Sequence, residues 1–420
     1  MVFHLRAILV LIFVLMISVA LFACGSSSGS ITLAKPGIST VVITSISANT
    51  NARAKAVAIQ SDGKIVAAGY SYDGAKNVFA LARYSNDGVT DGTLDAGFGT
   101  GGIVTTPIGT VDAQAQALVV QSSDQKLVVA GFSYDGTQYV FTLVRYNTDG
   151  GLDTAGFGSG TGIVTTAVGS LDDRAFAVAI QSDGKIVLAG YSSQVSGNGI
   201  QSRLVVVRYK TDGTLDDTFD SDGVAIFDSS TYLSSSDPTA MIFSAGASAL
   251  AIQSDDKLVA AGFAYMSVTD GNKMRQQDEF LLVRYNPDGS PDSTLNGGDG
   301  VNTSGAVTTA IDKVKDQAYA VAVQTLVVSG VPTDYVVVAG LSKSTQNRIA
   351  VVRYESDGNL DTTFNNTGKA ITAILNSAVA SALVVQADGK LVIAGTGYNN
   401  TYGEFVLARY NTDGRLDSTF

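Results

Sequence analysis

The sequence predicts an all-β protein, a six-bladed β-propeller of four-stranded antiparallel blades whose last blade is closed by the N-terminal strand. Three observations predict it. A phrase reading roughly A-x-A-V-A-I-Q-S-D-G-K-I-V-A-A-G, a variable stretch and L-V-R-Y-N-x-D-G-x-L-D-x-x-F recurs six times, with its arginine at Arg83, Arg145, Arg208, Arg284, Arg353 and Arg409. Each unit holds four short apolar runs between turn residues, with no sustained helical period. Each unit also opens on a pair of alanines, small enough for strands that crowd around an axis.

The first run, strand a, covers Ala54–Gln60 and Ala115–Gln121 in the first two units, and its alanines recur at 54/56, 115/117, 175/177, 247/249, 318/320 and 380/382. An Asp-Gly-Lys turn at Asp62, Asp183 and Asp388 leads into strand b, Lys64–Gly69 in the first unit. Strand c is Phe79–Tyr84 and strand d is Ile103–Ile108. Between them an Asp-Gly pair recurs at Asp87, Asp149, Asp212, Asp288, Asp357 and Asp413, supplying the positive φ that a tight reversal needs. Strands apolar on both sides fit sheets covered on both faces, as in neighbouring blades, and an open β-solenoid is the competing architecture.

Ring closure follows from the two ends of the repeat array. The sixth unit reaches Leu416-Asp417-Ser418-Thr419-Phe420, where the others continue to strand d. Val41-Val42-Ile43-Thr44-Ser45-Ile46 has the pattern of Ile103-Val104-Thr105-Thr106-Pro107-Ile108. The N-terminal segment is therefore expected to complete the last blade and remove an exposed edge.

The ordered recurrence of Gln-x-Asp-Gly-Lys, Ala-Gly, Arg-Tyr and Leu-Asp-x-x-Phe resembles delta-60 repeats, a bacterial family of β-propellers, with a strand order similar to NHL-repeat propellers. The resemblance spans nearly the whole chain after the N-terminal segment and implies a fold and a secreted or cell-surface setting, with no reaction attached. Two units depart from it. Thr325 to Asp334 replaces the short a–b turn in the fifth, and Pro291-Asp292-Ser293-Thr294-Leu295 stands for Leu-Asp-x-x-Phe in the fourth.

Residues 1–23 read as a signal peptide, with Arg6 ahead of an apolar run from Ala7. Its ending, Leu21-Phe22-Ala23-Cys24, resembles the lipobox of bacterial lipoproteins, which implies lipidation of Cys24, the only cysteine. An uncleaved membrane anchor is the alternative. Residues 24–37 form a tether, Gly/Ser-rich at its start, and 38–420 the propeller. The expected setting is the bacterial cell envelope, outer membrane or cell surface, with the membrane a partner through the lipid. A formal charge of −11 argues against nucleic acid.

Catalytic chemistry is sparse. The one histidine, His4, lies in the signal, so the mature chain has no residue for a Ser-His-Asp triad, a Cys-His pair or a histidine metal site. The expectation is a non-enzyme without cofactor or metal. Paired carboxylates of a hydrolase or lyase are the alternative. The arginine of each repeat is expected to pair with Asp95, Asp153, Asp216, Asp292, Asp361 or Asp417, and Gln60, Gln121, Gln181, Gln253, Gln324 and Gln386 to satisfy backbone at the a–b turn. The acidic run Asp216 to Gly223 lacks the alternating pattern and distal Glu of a calcium loop and reads as a turn.

Binding of a protein or glycan partner is expected where the repeat is broken. Asp228 to Ser244 and Ala264 to Glu279 are the two largest insertions at the b–c and d–a end. They carry Tyr232, Leu233, Met241, Ile242, Phe243, Tyr265, Met266, Met274 and Arg275. Adaptable Met side chains beside Tyr and Arg suit a partner-contacting patch, whereas mutual burial would make them a local cap.

Overall fold

The computed structural model describes residues 31–35, 38–47, 50–88, 91–197, 199–229, 240–270, 273–297, 305–312, 314–399 and 401–420. The signal peptide, Cys24, the start of the tether, Tyr232 and Leu233 lie outside the described residues. The chain divides into two compact units, residues 1–180 with 210–214 and residues 181–209 with 215–420.

In the first unit, β1 (Ile31–Lys35) pairs with β2 (Ile38–Ile43). The first repeat folds as β3 (Ala52–Ile59), β4 (Ile65–Tyr72), β5 (Asn77–Tyr84) and β6 (Ile103–Thr106), each antiparallel to the next. The second repeats that order as β7 (Ala113–Val120), β8 (Leu127–Tyr134), β9 (Tyr139–Tyr146) and β10 (Ile163–Thr166), and β11 (Asp173–Ile180) follows.

In the second unit, β12 (Ile186–Ser196), β13 (Gly199–Tyr209) and β14 (Val224–Ile226) form consecutive antiparallel pairs. The fourth repeat is β15 (Met241–Ile252), β16 (Leu258–Asp270), β17 (Lys273–Tyr285) and β18 (Ala306–Thr309). The fifth is β19 (Lys315–Val328), β20 (Val331–Lys343), β21 (Asn347–Tyr354) and β22 (Lys369–Thr372). The sixth has three described strands, β23 (Ser377–Val385), β24 (Leu391–Tyr398) and β25 (Gly403–Tyr410).

The two alanines of strand a mark a bulge. Register slips by one residue between Ala54 and Ala56, and likewise at 115/117, 247/249, 318/320 and 380/382. The bulge pushes a carbonyl toward strand b, where the Ala-Gly glycine lies. A Cβ on Gly69 would sit 1.9 Å from the Arg53 carbonyl oxygen, and one on Gly131 2.0 Å from that of Gln114. Only glycine fits there, which explains why Ala-Gly recurs.

Adjacent residues such as Val128 and Val129 are both fully buried, so both faces of these sheets are covered. In the first unit Val66, Phe79, Phe98, Leu127, Val144 and Tyr146 form one core between the first two repeats. Large apolar side chains of this kind contribute roughly 1.5–3 kcal/mol each on burial.

Three sequence expectations need adjustment. In the first repeat the reversal equivalent to Asp149-Gly150 is Asp91-Gly92, not Asp87-Gly88. The amide of Ser85 bonds to the carbonyl of Thr93 at 2.9 Å as that of Asn147 bonds to Gly151 at 2.7 Å. The insertion Ala264 to Glu279 is largely strand rather than loop, with β16 and β17 paired in register as far as Asp270↔Lys273. Thr325 to Asp334 is likewise a hairpin extension, turning at Ser329 (φ 51) and Gly330 (φ 83).

Candidate binding surface

The fourth-repeat patch splits by strand period. Ile242 and Met266 face each other across β15 and β16 and are both buried. Met241, Phe243 and Met274 are exposed, at 61%, 39% and 69%. The register shift between Ile242 and Ser244 sets Phe243 out of the ladder, and its ring lies 6.2 Å from that of half-buried Tyr265. The Tyr265 hydroxyl donates to Gln276 across the hairpin, and Arg275 Nη2 donates to Gln277 Oε1 at 3.4 Å. So Met266 and Ile242 anchor the extension while Met241, Phe243 and Met274 remain on the surface. Sequence reasoning grouped all of them. Burial at alternate positions became visible only once the insertion was known to be a strand.

The six arginines are structural. Nε of each meets the expected aspartate, at 2.8 Å for Arg83–Asp95, Arg145–Asp153 and Arg208–Asp216 and at 2.7 Å for Arg284–Asp292, Arg353–Asp361 and Arg409–Asp417. In every repeat but the sixth, where Gln386 Oε1 has no partner among the described residues, Nη1 donates to the recurrent glutamine, at 3.2 Å for Arg83–Gln60 and 3.0 Å for Arg353–Gln324. It also reaches a carbonyl in the turn of the following repeat, as from Arg145 to Thr211 at 2.6 Å and from Arg353 to Thr412 at 2.6 Å. The guanidinium stacks 4.3 to 4.7 Å from the centroid of Phe98, Phe157, Phe219, Phe364 or Phe420. These bonds commit Nε in every repeat, and Nη1 in the first five, to the protein itself.

The recurrent glutamines do more than expected. Beyond accepting from arginine, Gln60 and Gln324 donate from Nε2 to a carbonyl in the next repeat's a–b turn, Gln125 at 3.2 Å and Gly389 at 2.6 Å. The lysine of Asp-Gly-Lys was missed as a partner. Lys64, Lys126, Lys185, Lys257 and Lys390 place a second cation on the same aspartate, at 2.9 to 3.2 Å. Its signal was the recurrence itself: the fifth repeat lacks that lysine, and Tyr335 stacks on Arg353 at 4.9 Å instead.

These bonds set the aspartate ionisation. Burial works against charge on Asp216, but hydrogen bonds from the Thr218 hydroxyl and amide and from Lys185, with the Arg208 charge, outweigh it and hold the carboxyl at about 2. Burial is likewise outweighed at Asp292 by Thr294, Arg284 and Lys257, again at about 2. The acidic run from Asp216 is thus a turn whose first carboxylate is already committed. Asp222 accepts from the Val224 amide at 2.8 Å, and Asp220 and Ser221 adopt positive φ.

Solved structures with similar folds include a protein of unknown function from Dyadobacter fermentans (11% identity, 86% of this chain and 94% of that one, TM-score 0.42). Sqt1 from Chaetomium thermophilum is 14% identical over 86% of this chain and 70% of its own, with a TM-score of 0.39. The GH93 α-L-arabinofuranosidase of Fusarium graminearum is 10% identical over 84% of this chain and 91% of its own, with a TM-score of 0.45. Among curated proteins none matches the chain. Six segments, residues 60–98, 122–155, 181–219, 253–295, 335–364 and 386–420, match one family, three of them running from the recurrent glutamine to the phenylalanine that stacks on the arginine. The chain belongs to that family, described as a domain of unknown function (DUF5122) beta-propeller.

Proposed function

We propose that this chain is a non-catalytic binding or scaffold module, held at a bacterial cell envelope by a lipid on Cys24. Its partner, a protein or glycan, is met at the fourth repeat. One observation carries the binding reading. Most of the recurrent polar groups are engaged in internal bonds, while Met241, Phe243 and Met274 stand exposed on strands that extend beyond the common repeat. Surface Met side chains adapt their shape to a partner, and an aromatic ring beside them adds rigid contact area.

Six blades, with Val41 to Ile46 completing the last, is the ring arrangement that fits this reading. It is supported inside the first unit, where Val42 and Thr44 meet the first repeat as Val104 and Thr106 meet the second.

The test is capture from the envelope of the source cell with the native chain and with a Met241→Ser/Phe243→Ser/Met274→Ser variant. A partner retained by the native chain and lost from a variant of unchanged melting temperature supports the assignment. Equal retention overturns it. Cys24→Ser should release the protein from membranes, and unchanged membrane association with a cleaved N-terminus would refute the lipid anchor.

A further inference from the structure

In the first unit strands β3, β7 and β11 lie side by side. Alanines 54, 115 and 175 pack between the sheets, and the alternate positions carry Arg53 and Lys55, Gln114 and Gln116, and Arg174 and Phe176. The matching positions in the second unit are Gly246 and Ser248, Gln317 and Tyr319, and Val379 and Ser381, none of them charged. At these positions cations are therefore confined to one unit.

Arg53 and Lys55 are exposed, and among the described residues neither has an ion-pair or side-chain hydrogen-bond partner. That sets them apart from the repeat's own cations, whose charges are matched at the arginine nodes. Desolvation of the Lys55 ammonium, and after it the adjacent Arg53 charge, lower its proton affinity. Two like charges side by side without a counter-charge, in a chain of formal charge −11, are a local excess that an anion would relieve.

The neighbouring groups narrow the kind of anion. Gln116 Nε2 donates to Gln114 Oε1 at 3.4 Å, and Gln114 Nε2 to Asp112 Oδ2 at 3.1 Å, a chain of amides on the strand next to β3 that ends on the Asp112 carboxylate. The Arg174 guanidinium lies 4.1 Å from the Tyr139 ring centroid and bonds Asp172 through Nη2 at 3.2 Å, while its buried Nε has no partner. Inorganic phosphate has no ring to lay on an aromatic stack. Amides that both donate and accept, next to a held guanidinium–aromatic stack, match a ring bearing several hydroxyls and an anionic group.

We propose that the inner strands of the first unit bind an anionic oligosaccharide, Arg53 and Lys55 taking its acidic groups and Gln114, Gln116 and the Arg174–Tyr139 stack its sugar rings. The proposal deepens the glycan branch of the binding reading but uses none of the fourth-repeat residues. The Met241/Phe243/Met274 variant should therefore bind the sugar unchanged, and the failure of either idea leaves the other open to its own test.

The experiment is isothermal titration of the full chain with oligogalacturonate, its fully methyl-esterified form, a sulfated galactan oligosaccharide and inorganic polyphosphate. Binding of the free carboxylate or the sulfate ester, with loss on methyl esterification, supports the proposal, and the tighter of the two identifies the acidic group. Arg53→Gln/Lys55→Gln, both exposed, should keep its melting temperature and weaken binding about tenfold or more, as expected for losing charged hydrogen bonds. Binding of polyphosphate alone, equal binding of the methyl ester, an unaffected double variant, or no binding of any acidic sugar overturns the proposal.

Discussion

The hydroxyl of Tyr84 donates a hydrogen bond to Thr44 Oγ1 at 2.9 Å. The same tyrosine–threonine bond joins Tyr146 to Thr106 at 2.7 Å, Tyr354 to Thr309 at 2.7 Å and Tyr410 to Thr372 at 2.6 Å. In those three the threonine ends the outer strand of one repeat and the tyrosine follows the node arginine of the next. Val42 repeats the analogy: a Cβ on Gly92 would meet its Cγ2 at 2.8 Å, as one on Gly150 would meet that of Val104 at 2.8 Å. Val42 near the end of β2 and Thr44 just after it therefore meet the first repeat as Val104 and Thr106 meet the second.

Removing the segment that holds Val42 and Thr44 should be costly. Deletion of Val41 to Ile46 is expected to destabilise the chain by several kcal/mol, a large share of the stability of an ordinary domain. Tyr84→Phe should cost only about 1 kcal/mol, the worth of one hydrogen bond. Urea midpoints of the two variants check both, and an unchanged midpoint on deletion would remove the structural role assigned to the segment.

The aspartate paired with each recurrent arginine holds two cations in most repeats, but only the arginine is buried. Asp216→Ala leaves Arg208 buried without its ion-pair partner, while Lys185 keeps Asp183 at 3.2 Å, and is expected to cost about 3–5 kcal/mol. The exposed pair Arg415–Asp413 at 3.8 Å is the control, where Asp413→Ala is expected to cost about 1 kcal/mol or less of ion pairing. Chemical denaturation of the two variants separates them.

Acid should find the same groups. Asp216 and Asp292 are held at about 2, below the roughly 3.9 of an unfolded aspartate. A depressed carboxyl stabilises the fold above its unfolded value, and that contribution is lost as pH falls toward the folded value. Stability is therefore expected to drop from about pH 4 to about pH 2, and the Asp216→Asn/Asp292→Asn double variant to show a shallower drop. Denaturant midpoints across this range measure it, and a parallel slope in the variant would place acid sensitivity elsewhere.

The bulge glycines admit a sharper test. Gly131→Ala places a Cβ 2.0 Å from the Gln114 carbonyl oxygen, so the backbone of β7 must move; a cost of about 3 kcal/mol or more is expected. Gly136→Ala, with no atom within 4 Å but a φ of 117°, isolates backbone strain from steric contact. A thermal-shift comparison decides between them.

The sequence by itself determined the repeat, the four strands of a repeat and the arginine–aspartate pairs, because these rest on local period and on recurrence inside one chain. An Asp-Gly pair between two strand-like runs marks a reversal, and an arginine that returns with an aspartate a few residues on meets the same partner in every copy. What recurrence could not separate was two copies of one signal close together. In the first repeat Asp87-Gly88 and Asp91-Gly92 look alike, and only the Ser85–Thr93 bond shows which one turns the chain. The tertiary structure alone decided the fourth-repeat patch. An insertion read as loop has no face, whereas the same residues in β15 to β17 alternate, burying Met266 and exposing Met274. It also decided that Arg53 and Lys55 go without a counter-charge, since pairing depends on which side chains the fold brings within reach across strands distant in sequence.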